Sequence, residues 1–461
     1  MAKSIGSVII IQPSLDDSSR RRTIVQDLQG SSRFDRRAVK VDEAARLVLE
    51  AVRTGGHEIV PLKRAAGRRL SEQMRASCDW PPFARSGLDG YAVRSADTAQ
   101  ASPQAPAALR VVYAVAAGEL APVAVEQGTA VRIMTGGAVP EGADAVVMLE
   151  QTEDAWEGGQ PVVRVKRAAA PGQNIAPPGE EFRRGSLLAE AGALLRPGHL
   201  ALLGTFGYAN VPVFARPRVA VLATGAELLP VAAPLAPGSI RDSNSAMVAA
   251  MAEQSGAVAL PLGRLADDRT TVVQALASAL AQADIVVTTG GVSVGDYDIM
   301  AAVMHGLRSG EPDKDPSNEG SGQAGDRLLF NKVAMRPGSP TSAAIVQGKL
   351  LLALSGNPGA CFVGFELFVR PAILHMQGAS REAALPKVMT ARLAASYEKG
   401  SPHERFVRTR LYVDQGMLHA DPLAFGKSSM MASIPDAEGL IRIPAGPSGP
   451  RAGTLVDVLL L

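Results

Sequence analysis

The chain has 461 residues, enough for about three domains of ordinary size. Lys and Arg number 47 against 45 Asp and Glu, and this near-neutral balance excludes a field that would draw the protein to nucleic acid or to a membrane surface. Aromatics at 4% exclude base-stacking platforms, two cysteines exclude a disulfide framework or a four-cysteine zinc site, and no run of about 18 apolar residues is present to span a membrane.

Residues 1–40 read as a polar tail. The apolar run at 8–11 is short and followed by Pro13, and Asp16, Asp17, Asp27 and Asp35 contradict an organelle address despite Arg20-Arg21-Arg22. Folded sequence begins at Val41. Val41, Ala44, Ala45, Val48 and Val52 recur at helical spacing, with Asp42 and Glu43 in the first turn and Gly55-Gly56 beyond the end. From 61 to 167 the pattern is short β-branched runs (109–115, 129–133, 145–149 and 162–165) separated by turn signals, which predicts a β-rich domain. A helix is expected at 197–206.

From Arg218 strands and helices alternate. Strands are expected at 219–222, 258–262 and 285–288. One helix is capped by Asp242 or Ser243, with Ala246, Met247, Ala250 and Met251 on its apolar face, and another opens at Asp267. After a low-complexity insertion at 309–326, expected to be a flexible loop, strands resume at 328–333, 343–346 and 350–354, followed by a helix at 358–375. This alternation predicts a mainly parallel sheet with helices on both faces, binding ligands at the carboxyl ends of its strands. Short strands after Pro386 predict a small β domain at the end of the chain.

Three strand ends in the α/β section have unusual compositions: Thr224-Gly225-Ala226-Glu227, Thr289-Gly290-Gly291-Val292-Ser293 running on to Asp296 and Asp298, and Ser355-Gly356-Asn357-Pro358. A glycine pair after a buried strand lets backbone N–H groups approach an anion, and a helix amino terminus adds partial positive charge. With Glu227, Asp242, Asp296 and Asp298 nearby, these residues point to a phosphate-bearing ligand held with Mg2+, without naming it. Plainer explanations stand beside this one. The glycines suit a turn, Glu227 a helix start, Asp242 an N-cap, and Asp284 the turn before a strand. Arg336, in Met335-Arg336-Pro337-Gly338-Ser339-Pro340, is a cation near a strand end, or part of a stiff turn. A zinc hydrolase is unsupported by histidine spacing. Gly291-Val292-Ser293-Val294-Gly295 fits a hydrolase elbow only in letters, because the turn already precedes the serine; Gly426-Lys427-Ser428 lacks the first glycine of a Walker A loop.

Taken together, these segments resemble the molybdopterin molybdenumtransferase (molybdenum insertase) family, from about Val41 to the C-terminus. The resemblance also rests on Ser86-Gly87-Leu88-Asp89-Gly90-Tyr91-Ala92-Val93, Arg132-Ile133-Met134-Thr135-Gly136, Pro140-Glu141-Gly142-Ala143-Asp144 and Gly179-Glu180-Glu181. It implies an enzyme that inserts molybdenum from molybdate into adenylylated molybdopterin, releases AMP and needs Mg2+. It also implies a multidomain α/β and β fold. The parts would be a discontinuous domain (41–60 with 168–215), a β-rich inserted domain (61–167), an α/β molybdopterin-binding domain (216–377) and a C-terminal β-barrel (385–461). The implied assembly is a homodimer whose inserted domain faces the partner's α/β domain across the active site.

By the same resemblance Glu227, Asp242, Asp89, Thr135 and Glu181 are the catalytic candidates, and Glu227, Asp242 and Asp298 the metal ligands. Gly290, Gly291, Ser293, Asp284, Arg336, Arg408 and Ser428 would bind the pterin, its phosphate or molybdate. Ala226, Ser339 and Ala360 replace residues that are commonly acidic, lysine and serine in the family. The implied setting is cytoplasmic, with molybdopterin adenylyltransferase and molybdoenzyme maturation factors as partners, and neither nucleic acid nor membrane. Two other readings share parts of the pattern, the adenylyltransferase itself and a non-catalytic molybdopterin-binding scaffold. Asp242, taken as a surface acid at a strand end, is expected to matter for insertion more than for folding, and Cys361 is expected to be core.

Overall fold

The computed structural model describes residues 37–116, 118–265, 269–290, 325–423 and 431–461. The expected tail up to residue 36, most of the expected insertion, and Gly291, Ser293, Asp298 and Ser428 lie outside the described residues. The chain divides into two compact units. One comprises the residues up to Arg53 with Arg216–Met376 and Arg381–Leu461; the other comprises Thr54–Ala215 with Gln377–Ser380.

The first unit opens with helix α1 (Val41–Ala51). Its sheet has strands β1 (Arg218–Thr224), β2 (Val258–Leu265), β3 (Ile285–Thr289), β4 (Arg327–Phe330), β5 (Ser342–Val346) and β6 (Lys349–Leu354), in the spatial order β2-β1-β3-β6-β5-β4. The first four in that order are parallel, and β5 and β4 add on antiparallel. The strands read as continuous apolar runs because both faces are covered. Val219, Val221, Ile285, Val287, Leu350 and Leu352 pack with α1 and with α2 (Asn244–Gln254). Ala220, Leu222, Val286, Leu351 and Ala353 pack with α3 (Arg269–Gln282) on the opposite face. This is the doubly wound arrangement, with β1 flanked by strands reached through crossovers on opposite faces.

Three expectations change here. The sequence reading grouped α1 with 168–215, but its buried residues Val41, Ala44, Ala45 and Val48 join the α/β core. The expected tail ends before Val39, which forms a parallel bridge to Val333 and hydrogen bonds to Lys332 and Ala334. On α2, Ala246 and Ala250 are exposed, and the buried face is Asn244, Val248, Met251 and Ala252. The stretch Ala246-Met247-Val248-Ala249-Ala250-Met251-Ala252 is apolar nearly all round, so its period does not fix which side packs.

Helix α4 (Pro358–Met376) is long and apolar enough by composition to cross a membrane, but most of it is buried in this core. One turn, Phe365–Val369, is π-helical and buries Glu366 against Arg370 at 2.6 Å. Downstream, Val388–Leu393, Glu404–Asp414, Met417–Pro422, Gly439–Ile443 and Leu455–Leu460 close into a five-strand barrel, with the short strand Met335–Arg336 added alongside Glu404–Asp414.

The second unit contains a six-stranded sheet in the spatial order Ala145–Met148, Gly90–Val93, Thr129–Ile133, Ala107–Ala114, Gln160–Val165, Thr152–Glu157. The rest is built on a ladder between His57–Pro61 and Asn210–Phe214 and on helix Pro197–Thr205, around Leu70, Leu195, Leu203 and Val213.

Candidate functional site

The carboxyl ends of β1, β3 and β6 lie side by side because the strands are sheet neighbours. Glycine sets how close they come. Gly290 has φ +91, and a Cβ there would collide with the Thr224 carbonyl oxygen. A Cβ on Gly356 would lie 3.3 Å from the Gly290 Cα. The Gly290 N–H donates to the Leu354 carbonyl at 3.0 Å, which continues the ladder. This corrects the expected role of Gly290. Its amide is committed to the sheet, so it serves close packing rather than anion binding, and an amide donor to phosphate would have to come from elsewhere.

Beyond β1 the backbone sets two acids at opposite ends of a short parallel ladder. Leu228–Leu229 pairs in parallel with Ile240–Arg241, the Ile240 N–H donates to the Glu227 carbonyl, and the Asp242 N–H donates to the Leu229 carbonyl, each at 2.9 Å. The intervening loop is thereby pinched shut. Glu227 is exposed, and its carboxylate folds back over Gly225, where a Cβ would be 2.6 Å from Oε2. Asp242 is only 9% exposed, and its carboxylate accepts from the Ser245 N–H at 3.0 Å and the Ser245 hydroxyl at 2.6 Å. It is therefore a buried helix-capping acid, not the surface residue the sequence suggested. Its charge also acts on Cys361 at the start of α4. Burial first, and Asp242 second, push that thiol up, so Cys361 is an inert core residue as expected.

The third strand end joins through Asn244, whose Nδ2 donates to the Gly356 carbonyl at 2.9 Å. Asn357 caps α4 by accepting from the Ala360 N–H at 3.2 Å. Sequence reading missed both Asn244 and Ser245, because nothing in composition or spacing says that the first side chains of α2 bond to Gly356 and Asp242.

The two arginines differ. Arg336 is exposed, and Gly338 two residues on packs against Met335 and the Ala360 carbonyl, so this turn abuts the start of α4. Arg408 is 2% exposed; its Nε donates to the Ser433 hydroxyl at 2.9 Å and a terminal nitrogen to the Gly359 carbonyl at 3.2 Å. It is thus a buried strut between barrel and α4 rather than an open cation, and desolvation lowers its pKa.

Asp284 is not part of this constellation. It precedes β3, whereas Gly290 follows it, so the two lie at opposite ends of the strand, about 20 Å apart along it. Its carboxylate accepts from the Arg218 N–H at 2.8 Å and pairs with Lys349 at 3.3 Å. Asp284→Asn is expected to leave pterin binding at the wild-type level and to cost no more than about 1 kcal/mol of stability, the ordinary worth of a half-exposed pair. Equilibrium binding and urea denaturation check both halves.

In the second unit, the Gly90–Val93 and Thr129–Ile133 strands are hydrogen-bonded neighbours, which brings Asp89 to Thr135. The Thr135 N–H at 2.6 Å, and then its hydroxyl at 2.8 Å, donate to Asp89 Oδ1 and hold this exposed carboxyl below the usual carboxylate range. Thr135→Val keeps the backbone bond and removes the other, so the Asp89 pKa is expected to rise partway toward the usual value, as a pH titration of the side-chain carboxyl by NMR would read. Glu181 is exposed, and its N–H donates to the Trp80 carbonyl at 3.1 Å beside the isolated bridge between Trp80 and Phe182.

Among the described residues no group of three His, Cys, Asp or Glu side chains is arranged to hold a metal ion. Asp242 and Glu227 are nevertheless hard oxygen donors on the two segments paired beyond β1, a kind that suits Mg2+ when substrate phosphate and water complete the shell.

Comparison with known proteins accounts for the whole described fold. Residues 39–207 match the MoeA N-terminal region (domain I and II), 220–375 a probable molybdopterin binding domain, and 390–461 the MoeA C-terminal region (domain IV). The chain is 42% identical to molybdopterin molybdenumtransferase of Bacillus subtilis, over 92% of this chain and 95% of the relative. It is 37% identical to the Staphylococcus aureus (strain COL) protein of the same name, over 92% and 96%. A crystal structure of a molybdopterin biosynthesis MoeA protein from Pyrococcus horikoshii OT3 superposes with a TM-score of 0.74 at 30% identity, covering 92% of this chain and 100% of the other. The α/β, β-rich and barrel parts expected from the sequence are those of this family. The chain belongs to the molybdopterin molybdenumtransferase family.

Proposed function

We propose that this protein inserts molybdenum from molybdate into adenylylated molybdopterin and releases AMP. The observation that carries the reading is the match to molybdopterin molybdenumtransferases along nearly the full length of both chains. The reading is supported by the convergence of Thr224, Gly290 and Gly356 at the carboxyl edge of a doubly wound sheet, the edge at which such sheets bind ligands. No observation favours an adenylyltransferase or a scaffold.

In this reaction a water molecule cleaves the phosphoanhydride bond to the adenylate, leaving AMP and the phosphate of the pterin. Two Mo–S bonds form as one molybdate oxygen leaves with the two dithiolene protons as water. The proposal assigns proton handling and substrate orientation to Asp242 and Glu227, with Arg336 as an exposed cation on the turn that abuts the start of α4. Asp242 and Glu227 would also hold Mg2+, which supplies charge neutralisation at the phosphate as AMP departs. Asp89 is kept ionised by Thr135 and serves as a fixed negative charge in the inserted domain, and Glu181 stays in the proposal on the resemblance alone. Gly291, Ser293, Asp298 and Ser428 stay in the proposal as pterin, phosphate and metal contacts, on the resemblance alone.

The proposal includes a homodimer acting in the cytoplasm. A molybdopterin adenylyltransferase would deliver its substrate, and molybdoenzyme maturation factors would take its product. The test is anaerobic incubation of the full chain with adenylylated molybdopterin, molybdate and Mg2+, following AMP and pterin-bound molybdenum together. Molybdate-dependent AMP release with metal gained by the pterin is the expected result. Pterin binding with no AMP release would instead favour the scaffold.

A further inference from the structure

A buried acceptor at the carboxyl edge has no donor. Among the described residues few buried side-chain polar atoms lack a hydrogen-bond partner, and Asn244 Oδ1 is one of them. The residue is 7% exposed and is the first of α2. Its amide orientation is fixed, because Nδ2 donates to the Gly356 carbonyl at 2.9 Å and a flipped amide would set two acceptor oxygens against each other. The amide therefore lies against the strand-end loop whose Gly356 touches Gly290, with its oxygen unsatisfied. An unpaired buried acceptor costs about 1–3 kcal/mol, which a binding partner that donates a hydrogen would recover.

The chemistry narrows that partner. A phosphate oxygen is itself an acceptor and would be repelled. A Mg2+ ion keeps several waters and needs room for them, which a side chain this enclosed does not give. A flat ring bearing an N–H needs only one line of approach. We infer that Asn244 is a ligand-binding residue whose Oδ1 accepts a hydrogen bond from an N–H of a fused nitrogen heterocycle. It thereby fixes the orientation of the ring while other groups hold the phosphate. The inference rests on the function proposed above, where two such rings occur, the pterin and the adenine of the adenylate. It commits to their shared chemistry, an N–H donor at a ring edge.

The experiment uses the full chain and measures equilibrium binding of molybdopterin (anaerobically), of AMP, and of Mg2+ to wild type, Asn244→Ala and Asn244→Asp, with thermal unfolding of each. Purine riboside 5′-monophosphate, which lacks the adenine amino group, serves as a ligand-side control on the wild type. Asn244→Ala is expected to weaken one of the two ring ligands about tenfold, the worth of one well-placed hydrogen bond, and to leave Mg2+ binding unchanged. Asn244→Asp keeps an acceptor oxygen but sets its second oxygen against the Gly356 carbonyl, so it is expected to bind no better than Asn244→Ala. A loss confined to molybdopterin assigns the pterin N–H. A loss confined to AMP, with purine riboside monophosphate binding tenfold more weakly than AMP to wild type, assigns the adenine amino group. Unchanged affinity for both rings in folded Asn244→Ala overturns the inference, as does a loss of Mg2+ affinity alone. If wild type binds neither ring, it is the proposed function that fails.

Discussion

Asp242→Ala is expected to lower molybdate-dependent AMP release at least about a hundredfold, the usual effect of removing an acid–base group, and to cost about 1 kcal/mol of stability. The second half follows from the two bonds that its carboxylate accepts from Ser245, which make it the cap of α2. Because one substitution removes both cap and charge, Asp242→Asn is the informative companion. Asparagine caps a helix about as well as aspartate, so stability should return while insertion stays low. Urea denaturation and the AMP assay, run on both variants, separate the two roles. Full activity in Asp242→Asn would mean that the residue serves only α2.

The second large effect is on folding. Gly290→Ala is expected to destabilise the α/β unit by about 3 kcal/mol or more, since it adds a Cβ at φ +91 and drives it into the Thr224 carbonyl. The clash is with backbone, so no side-chain rotation relieves it. Hydrogen exchange should show the loss at the amides of β1 and β3, while the β-rich sheet around Gly90–Val93 keeps its protection. Wild-type exchange in β1 would mean that the strand ends have room to spare. A Cβ on Gly56, by contrast, would meet nothing within 4 Å, so Gly56→Ala provides a matched control expected to be nearly neutral.

Much of this was legible in the sequence for identifiable reasons. β1, β3 and β6 are covered on both faces and so appear as unbroken apolar runs, and the turn residues at their ends mark the carboxyl edge. Strand polarity alone would have separated Asp284 from Gly290, since one precedes β3 and the other follows it. The face of α2 was not legible, because its alanines and methionines leave no polar side. Arg408 was not legible either. Phe406, Val407, Arg408 and Thr409 are all buried, because a strand of a closed barrel that also leans on α4 loses its alternation. The meeting of Asp89 with Thr135 depends on a pairing between strands more than thirty residues apart, about which local pattern says nothing. The resemblance named both residues; only the ladder explains why they touch.

The strut from Arg408 to Gly359 also has a meaning in time. A ribosome makes the start of α4 well before the arginine that holds its first turn, which comes 49 residues later. Met335–Arg336 likewise waits for Glu404–Arg405 to complete its pairing. A chain cut short before the barrel would have every strand of the α/β sheet and still lack what braces the start of α4 and the strand Met335–Arg336. A product that stopped short of the arginine would leave the first turn of α4 without the bond that its Gly359 carbonyl accepts.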